Sequence, residues 1–373
     1  MHLAETIERL AAIQGRGAGT DAERRAAVWL ARDVAGRGHP VWTDVVWLRP
    51  GWAWPVALAS LLAAGGSLAS VASPLAGLIA AAVAALCLAL EGGGLTSPLR
   101  LLTRRRATQC VVSLPEEDDG VTLIVTAPYD APLRGLVLND RWRAAAARLG
   151  DVRPWLAGGA LVIAGAAGGR LAGVDAAWLG VVQLVPTVVL IAALAAAVDI
   201  ALSEYSPGAG PASAAAVALA VHEELAADPG GLGAGLLLYG AGAAGPQALR
   251  AQLRREGTDG RRSVVLDIGP CTEGEPWWRT RHPQLRRAAQ LAADALELVP
   301  PRHRPRPARG VRGLPAVRIA CLDERGIAAR SHQPDDTAAA VDLEAADRAV
   351  DLALGIADGL AAELAAAARP TAA

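Results

Sequence analysis

Lysine and phenylalanine are absent from this 373-residue chain, methionine occurs once, and aromatic residues make up only 3% of it. All 36 basic residues are therefore arginine. With the heavy alanine and glycine content, this bias reads as GC-rich coding more than as a functional device. Only four cysteines occur, Cys87, Cys110, Cys271 and Cys321, and none are spaced as CxxC. That spacing indicates neither a zinc knuckle nor a disulfide framework. Net charge is -1 and the isoelectric point about 6.6, so no global excess of one sign recommends nucleic acid as a partner. The opening residues Met1 to Arg9 lack the basic stretch and apolar run of a signal peptide, which makes the cytoplasm the expected side for this end.

Apolar residues, in contrast, are in surplus. They account for 53% of the chain, and the mean hydropathy is +0.30. The surplus is concentrated in two places. Residues 51–92 are almost uncharged and are divided at Ser73-Pro74. Residues 154–201 divide around Gly168-Gly-Arg170 and Asp175. Each run predicts a hairpin of two helices of roughly 18–20 residues, long enough for a bilayer core of about 30 Å. Trp52, Trp54, Trp155 and Trp178 fall at the predicted helix ends, where an interfacial aromatic belt sits. Arg49, Arg100, Arg104, Arg105 and Arg106 flank the first hairpin, and Arg141, Arg143, Arg148 and Arg153 precede the second. The far turns hold only Arg170. The positive-inside rule then predicts a multi-pass membrane protein of four spans, with the polar domain and both termini cytoplasmic. The lipid bilayer is the expected partner, and the arginine row gives a generic attraction to anionic headgroups.

Outside the hairpins, strand-like runs alternate with helical ones. Leu3 to Ile13 has helical spacing, and Thr20-Asp-Ala-Glu23 has the form of a capping box. Strands are expected at 41–48, 107–113, 121–126, 232–239, 263–268 and 316–321. Helices are expected at about 211–227, 246–256, 283–296 and 343–366, with a Pro/Arg-rich loop over 300–312. This alternation predicts an α/β domain with both sheet faces covered, made of residues 1–50, 93–153 and 202–373.

The most informative stretch is Val121-Thr-Leu-Ile-Val-Thr-Ala-Pro128-Tyr129-Asp130, a buried strand broken at its carboxyl end, where ligands sit in open α/β sheets. It resembles the strand and turn of the co-catalytic zinc aminopeptidases, the clan that also includes glutamate carboxypeptidases and glutaminyl cyclases. The resemblance extends to Arg16 with Gly19-Thr20, to Pro207-Gly-Ala-Gly-Pro211, to Tyr239-Gly-Ala-Gly242-Ala243, to Val264-Val-Leu-Asp267, and to Ser331-His332-Gln-Pro-Asp-Asp336-Thr337. It implies a central mixed sheet flanked by helices and interrupted by the two hairpins. By the family's pattern a zinc-binding His belongs where Pro128 stands, and the bridging Asp where Pro211 stands. The general base belongs at Gly242 and a ligand Glu at Ala243. Asp267 and His332 keep their ligand positions, and Asp130 keeps the place of a residue that supports the ligands.

One surviving ligand per metal is too few, because a zinc site needs three or four protein ligands. The base and the metal-activated water on which it acts go together. The expectation is therefore a membrane-anchored, catalytically silent module for binding or scaffolding, without zinc although the family carries it, with a possible protein partner on the cytoplasmic face. One alternative is a membrane hydrolase with a relocated site on Asp267, His332 and Cys271. Another is a structural four-span protein. His222-Glu-Glu224 is expected on a solvated helix face, Trp277-Trp278 in aromatic packing, and Asp336-Thr337 capping the turn before the last helix.

Overall fold

A computed structural model describes residues 3–115, 120–174, 176–301 and 313–368. Asp175, the acidic tip of the Pro115–Gly120 turn and most of the Pro/Arg-rich loop lie outside the described residues. Seven strands form one mixed sheet: β1 (Trp42–Leu48), β2 (Arg106–Ser113), β3 (Val121–Pro128), β4 (Leu232–Tyr239), β5 (Ser263–Ile268), β6 (Glu275–Thr280) and β7 (Ala316–Leu322). Their order is β1-β2-β4-β3-β5-β7-β6. The central four, β4, β3, β5 and β7, run parallel, and antiparallel pairs close both edges. Their Val, Leu and Ile runs suit strands buried on both faces.

β6 is not legible as a strand from sequence, because Glu275-Pro-Trp-Trp contains a proline. It lies at the sheet edge and pairs only with β7, the position where a missing N–H is tolerated. Its Trp277 and Trp278 stack at 5.8 Å, and Trp277 packs on Ala320 and Leu322, the aromatic packing expected of the pair.

One sheet face is covered by α1 (Leu3–Ala12) and α2 (Asp21–Gly36), together with three helices from the second half of the chain. Those are α8 (Ala209–Ala227), α10 (Pro283–Ala295) and α11 (Leu343–Ala368). α8 is buried on every side from Ala212 to Val221, as a helix wedged between sheet and helices must be, and emerges at Glu223 and Glu224. On the opposite face α9 (Gln247–Arg255) sets Ala248, Leu249 and Leu253 on Val112, Ile124, Leu237 and Val265. At α2, Thr20 accepts from the N–H of Glu23, as a capping box requires. The Glu23 carboxyl turns to Gly19 N and the Thr108 hydroxyl rather than to the cap residue.

A four-helix bundle is inserted at two points: α3 (Ala53–Ala72) and α4 (Pro74–Gly92) between β1 and β2, and α6 (Arg153–Leu171) and α7 (Ala177–Leu202) between β3 and α8. A short helix, α5 (Asp140–Leu149), capped by Asn139, precedes the second pair. Three of these helices, α3, α4 and α7, are long and apolar enough to cross a membrane. α6 is diluted by five glycines and carries an arginine near each end. The bundle core is small, built on Ala63, Ala81, Ala84, Ala160 and Leu190. A Cβ at Gly77 would overlap Ser70, so α3 and α4 touch backbone to backbone, as small-residue membrane pairs do. Val71, Leu86, Val181 and Val185 face outward, each more than half exposed. Near the far turn Gln183 links Ser67 and Ser70 and accepts from Arg170, and Ser67 meets Thr187 at 2.7 Å. Every polar group of that network has a partner, the condition for placing it among apolar helices.

Leu48 pairs with Arg106 where the first hairpin departs, and Cys110 pairs with Tyr239 at the end of β4. The second hairpin departs just beyond the end of β3. Both hairpins therefore leave from the sheet end at which β3 and β4 finish.

Candidate functional site

Asp130 lies two residues beyond the end of β3 and is buried, with 1% of its surface exposed. Its carboxyl accepts from Gly242 N at 2.5 Å and from Ala243 N at 3.2 Å, in the turn after β4. Glu23, equally buried, accepts from the same turn at Ala241 as well as from Gly19 and Thr108. A Cβ at Gly240 would overlap the Glu23 carboxyl. Two carboxyls thus bolt the turn down by three consecutive N–H groups. The turn in which the resemblance places a base and a ligand carries neither here. It is held through its backbone instead.

Burial pushes Asp130 up to about 7 and Glu23 up to about 8, and the charge of Asp130 adds to the rise at Glu23. Both values lie above those of the unfolded chain, so the folded state binds these protons more tightly. The stabilisation is fully present below about pH 4 and is lost as pH rises through the folded values. His222 and His332, both lowered to about 4 by burial, are neutral in the folded chain and largely neutral in the unfolded one above about pH 7. Stability is therefore expected to fall from pH 7 to pH 8, by up to about 1.4 kcal/mol per pH unit for each proton released on unfolding, and the melting temperature falls with it. Glu23→Gln should flatten most of that slope in a thermal scan. A wild-type protein whose melting point is constant across this window contradicts the assignment.

Arg16, wholly buried, ties this corner together. Its guanidinium donates to Tyr129 O at 3.2 Å, Gly208 O at 2.8 Å, Ile13 O at 3.1 Å and Leu10 O, and its own carbonyl accepts from Ala131 N. Burial lowers it to about 10 against the pull of Asp130 and Asp336. Pro211 lies in the first turn of α8. Asp336 rather than Pro211 supplies the acid at that helix end: it accepts from Gly210 N at 2.8 Å and from the Ser206 hydroxyl at 3.2 Å. It does not cap the turn before α11, because the α8 N-terminus offers unpaired N–H groups and a positive dipole end.

Asp267 sits in a row across the sheet, with Thr126 and Arg318 as its registered neighbours on β3 and β7. The Thr126 and Tyr239 hydroxyls both donate to it at 3.1 Å, and Arg318 pairs with it at 3.5 Å. His332 lies elsewhere, on a loop where Arg330 and His332 both take positive φ. Arg143 holds that loop by donating to Ser331 O and Ala328 O. His332 Nδ1 lies 2.8 Å from Leu133 O. A carbonyl only accepts, so Nδ1 carries the proton and Nε2 presents its lone pair.

A cavity of about 470 Å³ opens beside the turn. Asp130, Ala243 and His332 line it together with Trp52, Trp54 and Tyr205. Asp267, Pro128, Pro211 and Gly242 do not. Cys271 does not either: it is fully buried in the main core, its thiol directed to Gly269 O, so the structure does not unite it with His332. Of His222-Glu-Glu224, Glu224 is exposed and Glu223 half-buried as expected of a solvated face, whereas His222 turns inward, buried against His39 at 4.8 Å. Among the arginines counted toward the membrane, Arg100 is buried beside Glu91 and Arg143 serves the His332 loop, while Arg104, Arg105, Arg106, Arg141 and Arg148 are exposed.

Zinc, which the resemblance implies, does not fit these residues. Pro128, Pro211, Gly242 and Ala243 offer no side-chain donor, the carboxylate of Asp267 is occupied by three neighbours, and His332 lines the cavity without it. Among the described residues no group of three or more His, Cys, Asp or Glu side chains is placed to hold a metal ion.

No protein-family profile and no curated protein matches this sequence. Solved structures do. A Zn-dependent exopeptidase from Parabacteroides distasonis superposes with a TM-score of 0.57 at 10% identity, covering 95% of this chain and 96% of its own. The glutaminyl cyclase of Porphyromonas gingivalis gives 0.55 at 10% identity, covering 97% of both chains. The zinc aminopeptidase BSAP of Bacillus subtilis gives 0.53 at 12% identity, covering 95% of this chain and 93% of its own. This chain therefore has the α/β fold of the zinc aminopeptidases and glutaminyl cyclases.

Proposed function

We propose that this chain is a membrane-embedded, catalytically silent form of the zinc-aminopeptidase fold, retained as a binding or scaffolding module. Residues 51–92 and 154–201 form two membrane hairpins, and residues 1–50, 93–153 and 202–373 form one discontinuous domain on the cytoplasmic side. The observation that carries the reading is the turn after β4. Gly242 and Ala243 stand where the family's base and ligand belong, and a Cβ at Gly242 would overlap Pro128. No carboxylate side chain can be reached from that position without displacing the end of β3. Loss of a general base alone typically lowers a rate by about 10²–10⁴-fold. The outward Val and Leu side chains of α3, α4 and α7 support the membrane part, since apolar patches of that extent are uncommon on soluble monomers.

The test is metal analysis of the detergent-purified full chain, with turnover of aminoacyl and glutaminyl reporters on the same preparation. Zinc far below stoichiometry and turnover at background are expected. Firmly bound metal at one or two equivalents, or turnover that His332→Ala abolishes, overturns the reading.

A further inference from the structure

The cavity is bounded on two sides by different chemistry. On one side stand Asp130, Ala243 and His332 of the α/β domain. On the other stand Trp52, Trp54 and Leu58 of the first turns of α3, and Ala201 and Ser203 at the end of α7. Both α3 and α7 are among the helices able to cross a membrane, and both meet the domain at this sheet end. The cavity therefore lies at the depth where interfacial tryptophans and headgroups sit. Leu101, Leu102 and Leu136 around it are at least 60% exposed on the domain side, which continues the apolar surface of the bundle.

The charge around the cavity is one-sided. Arg104 and Arg106 line it, and among the described residues no carboxylate pairs with either. Arg106 reaches the Tyr205 hydroxyl and Ala18 O, which leaves guanidinium donors free. The only acidic side chain in the lining, Asp130, is occupied by Gly242 and Ala243. His332 presents Nε2 as an acceptor. A ligand matching these walls carries an anion for the arginines, a hydroxyl or amine donor for His332, and an apolar tail leaving between α3 and α7. About 470 Å³ is the size of a small-molecule site. It holds a headgroup and its first methylenes, not a whole lipid.

We propose that this cavity binds the headgroup of an anionic lipid bearing a hydroxyl or amine, which enters sideways from the bilayer. This rests on the membrane-embedded reading above but not on the absence of catalysis. It differs from a generic attraction of the arginine row to anionic lipid in requiring one selective site.

The full chain is exchanged into phosphatidylcholine nanodiscs containing a minor fraction of phosphatidylglycerol, and the lipid retained per chain is counted by native mass spectrometry. One phosphatidylglycerol per chain is expected. Arg104→Gln with Arg106→Gln should lower that retention at least about tenfold, the scale of losing a charge-assisted hydrogen bond. His332→Ala should remove the preference for phosphatidylglycerol over its phosphatidylmethanol counterpart, which lacks the headgroup hydroxyls. Ala201→Trp, filling the cavity from α7, should abolish retention with both arginines intact, and its circular dichroism reports folding. Retention unchanged in the arginine pair, or complete displacement by soluble glycerol phosphate, overturns the proposal. Zinc measured on the same preparation keeps the two readings apart. Stoichiometric zinc with lipid retained overturns the silent enzyme alone, and neither zinc nor lipid overturns the lipid site alone.

Discussion

Arg16→Met is expected to cost the α/β domain about 3–5 kcal/mol, the range for breaking a buried charged network by removing one member. The guanidinium donates to four backbone carbonyls from three separate segments: Leu10 and Ile13 before α2, Tyr129 after β3, and Gly208 before α8. Each carbonyl left unsatisfied in a closed interior costs about 1–3 kcal/mol. Methionine fills much of the volume but satisfies none of them. Asp130 and Asp336 also lose their nearest countercharge, so both carboxyls move still higher. Arg16→Lys should recover only part of the loss, because one ammonium cannot serve carbonyls spread around a planar fork. Urea unfolding followed by tryptophan fluorescence provides the measurement. An Arg16→Met midpoint matching the wild type would show that these segments hold together without the staple.

That network marks the limit of what could be read from the chain alone. The buried strands were legible because Val121–Ala127, Leu232–Tyr239 and Ser263–Ile268 are apolar runs with Gly or Pro punctuation. The bundle was legible because two uncharged stretches match the length of a bilayer core. β6 was not, since its tryptophans follow a proline that only an edge position tolerates. Arg16 was visible as part of a family-like opening, but nothing local says that its side chain ends among carbonyls from residues as distant as Gly208. The fate of Glu23 was hidden for a related reason. Its spacing from Thr20 announces a capping box, whereas tertiary structure brings Thr108 and Ala241 to the carboxyl and redirects it. The positions at which the resemblance expects a ligand and this chain has no donor could be counted in the sequence. Whether the space there is open or filled could not, because that depends on how the ends of β3 and β4 meet.

Gly242→Ala bears on that space directly and is expected to destabilise the domain by about 1–3 kcal/mol, the usual cost of overpacking a rigid site. The added methyl would overlap Pro128 Cβ and crowd Tyr239 Cε2 at 3.0 Å and Asp130 Oδ1 at 3.1 Å. Neither a proline ring nor a buried carboxyl already bonded to Gly242 N can step aside as the end of a flexible chain would. Pro128→Gly removes the ring that is hit first, so Gly242→Ala should cost less in that background. The two substitutions should show a coupling energy of about 0.5–3 kcal/mol, the range for residues in contact. Additive effects within error would mean that the two positions do not share the space. Gly242→Glu, which restores the family's base in name, should be more damaging than Gly242→Ala and leave reporter hydrolysis at background, because it sets a second carboxyl against Asp130 with no metal ligands to engage. On this geometry Pro128 and Gly242, where the resemblance places a ligand and a base, are a single packing solution. The ring of Pro128 occupies the room that a side chain at 242 would need, and reversing one position without the other cannot reopen the site.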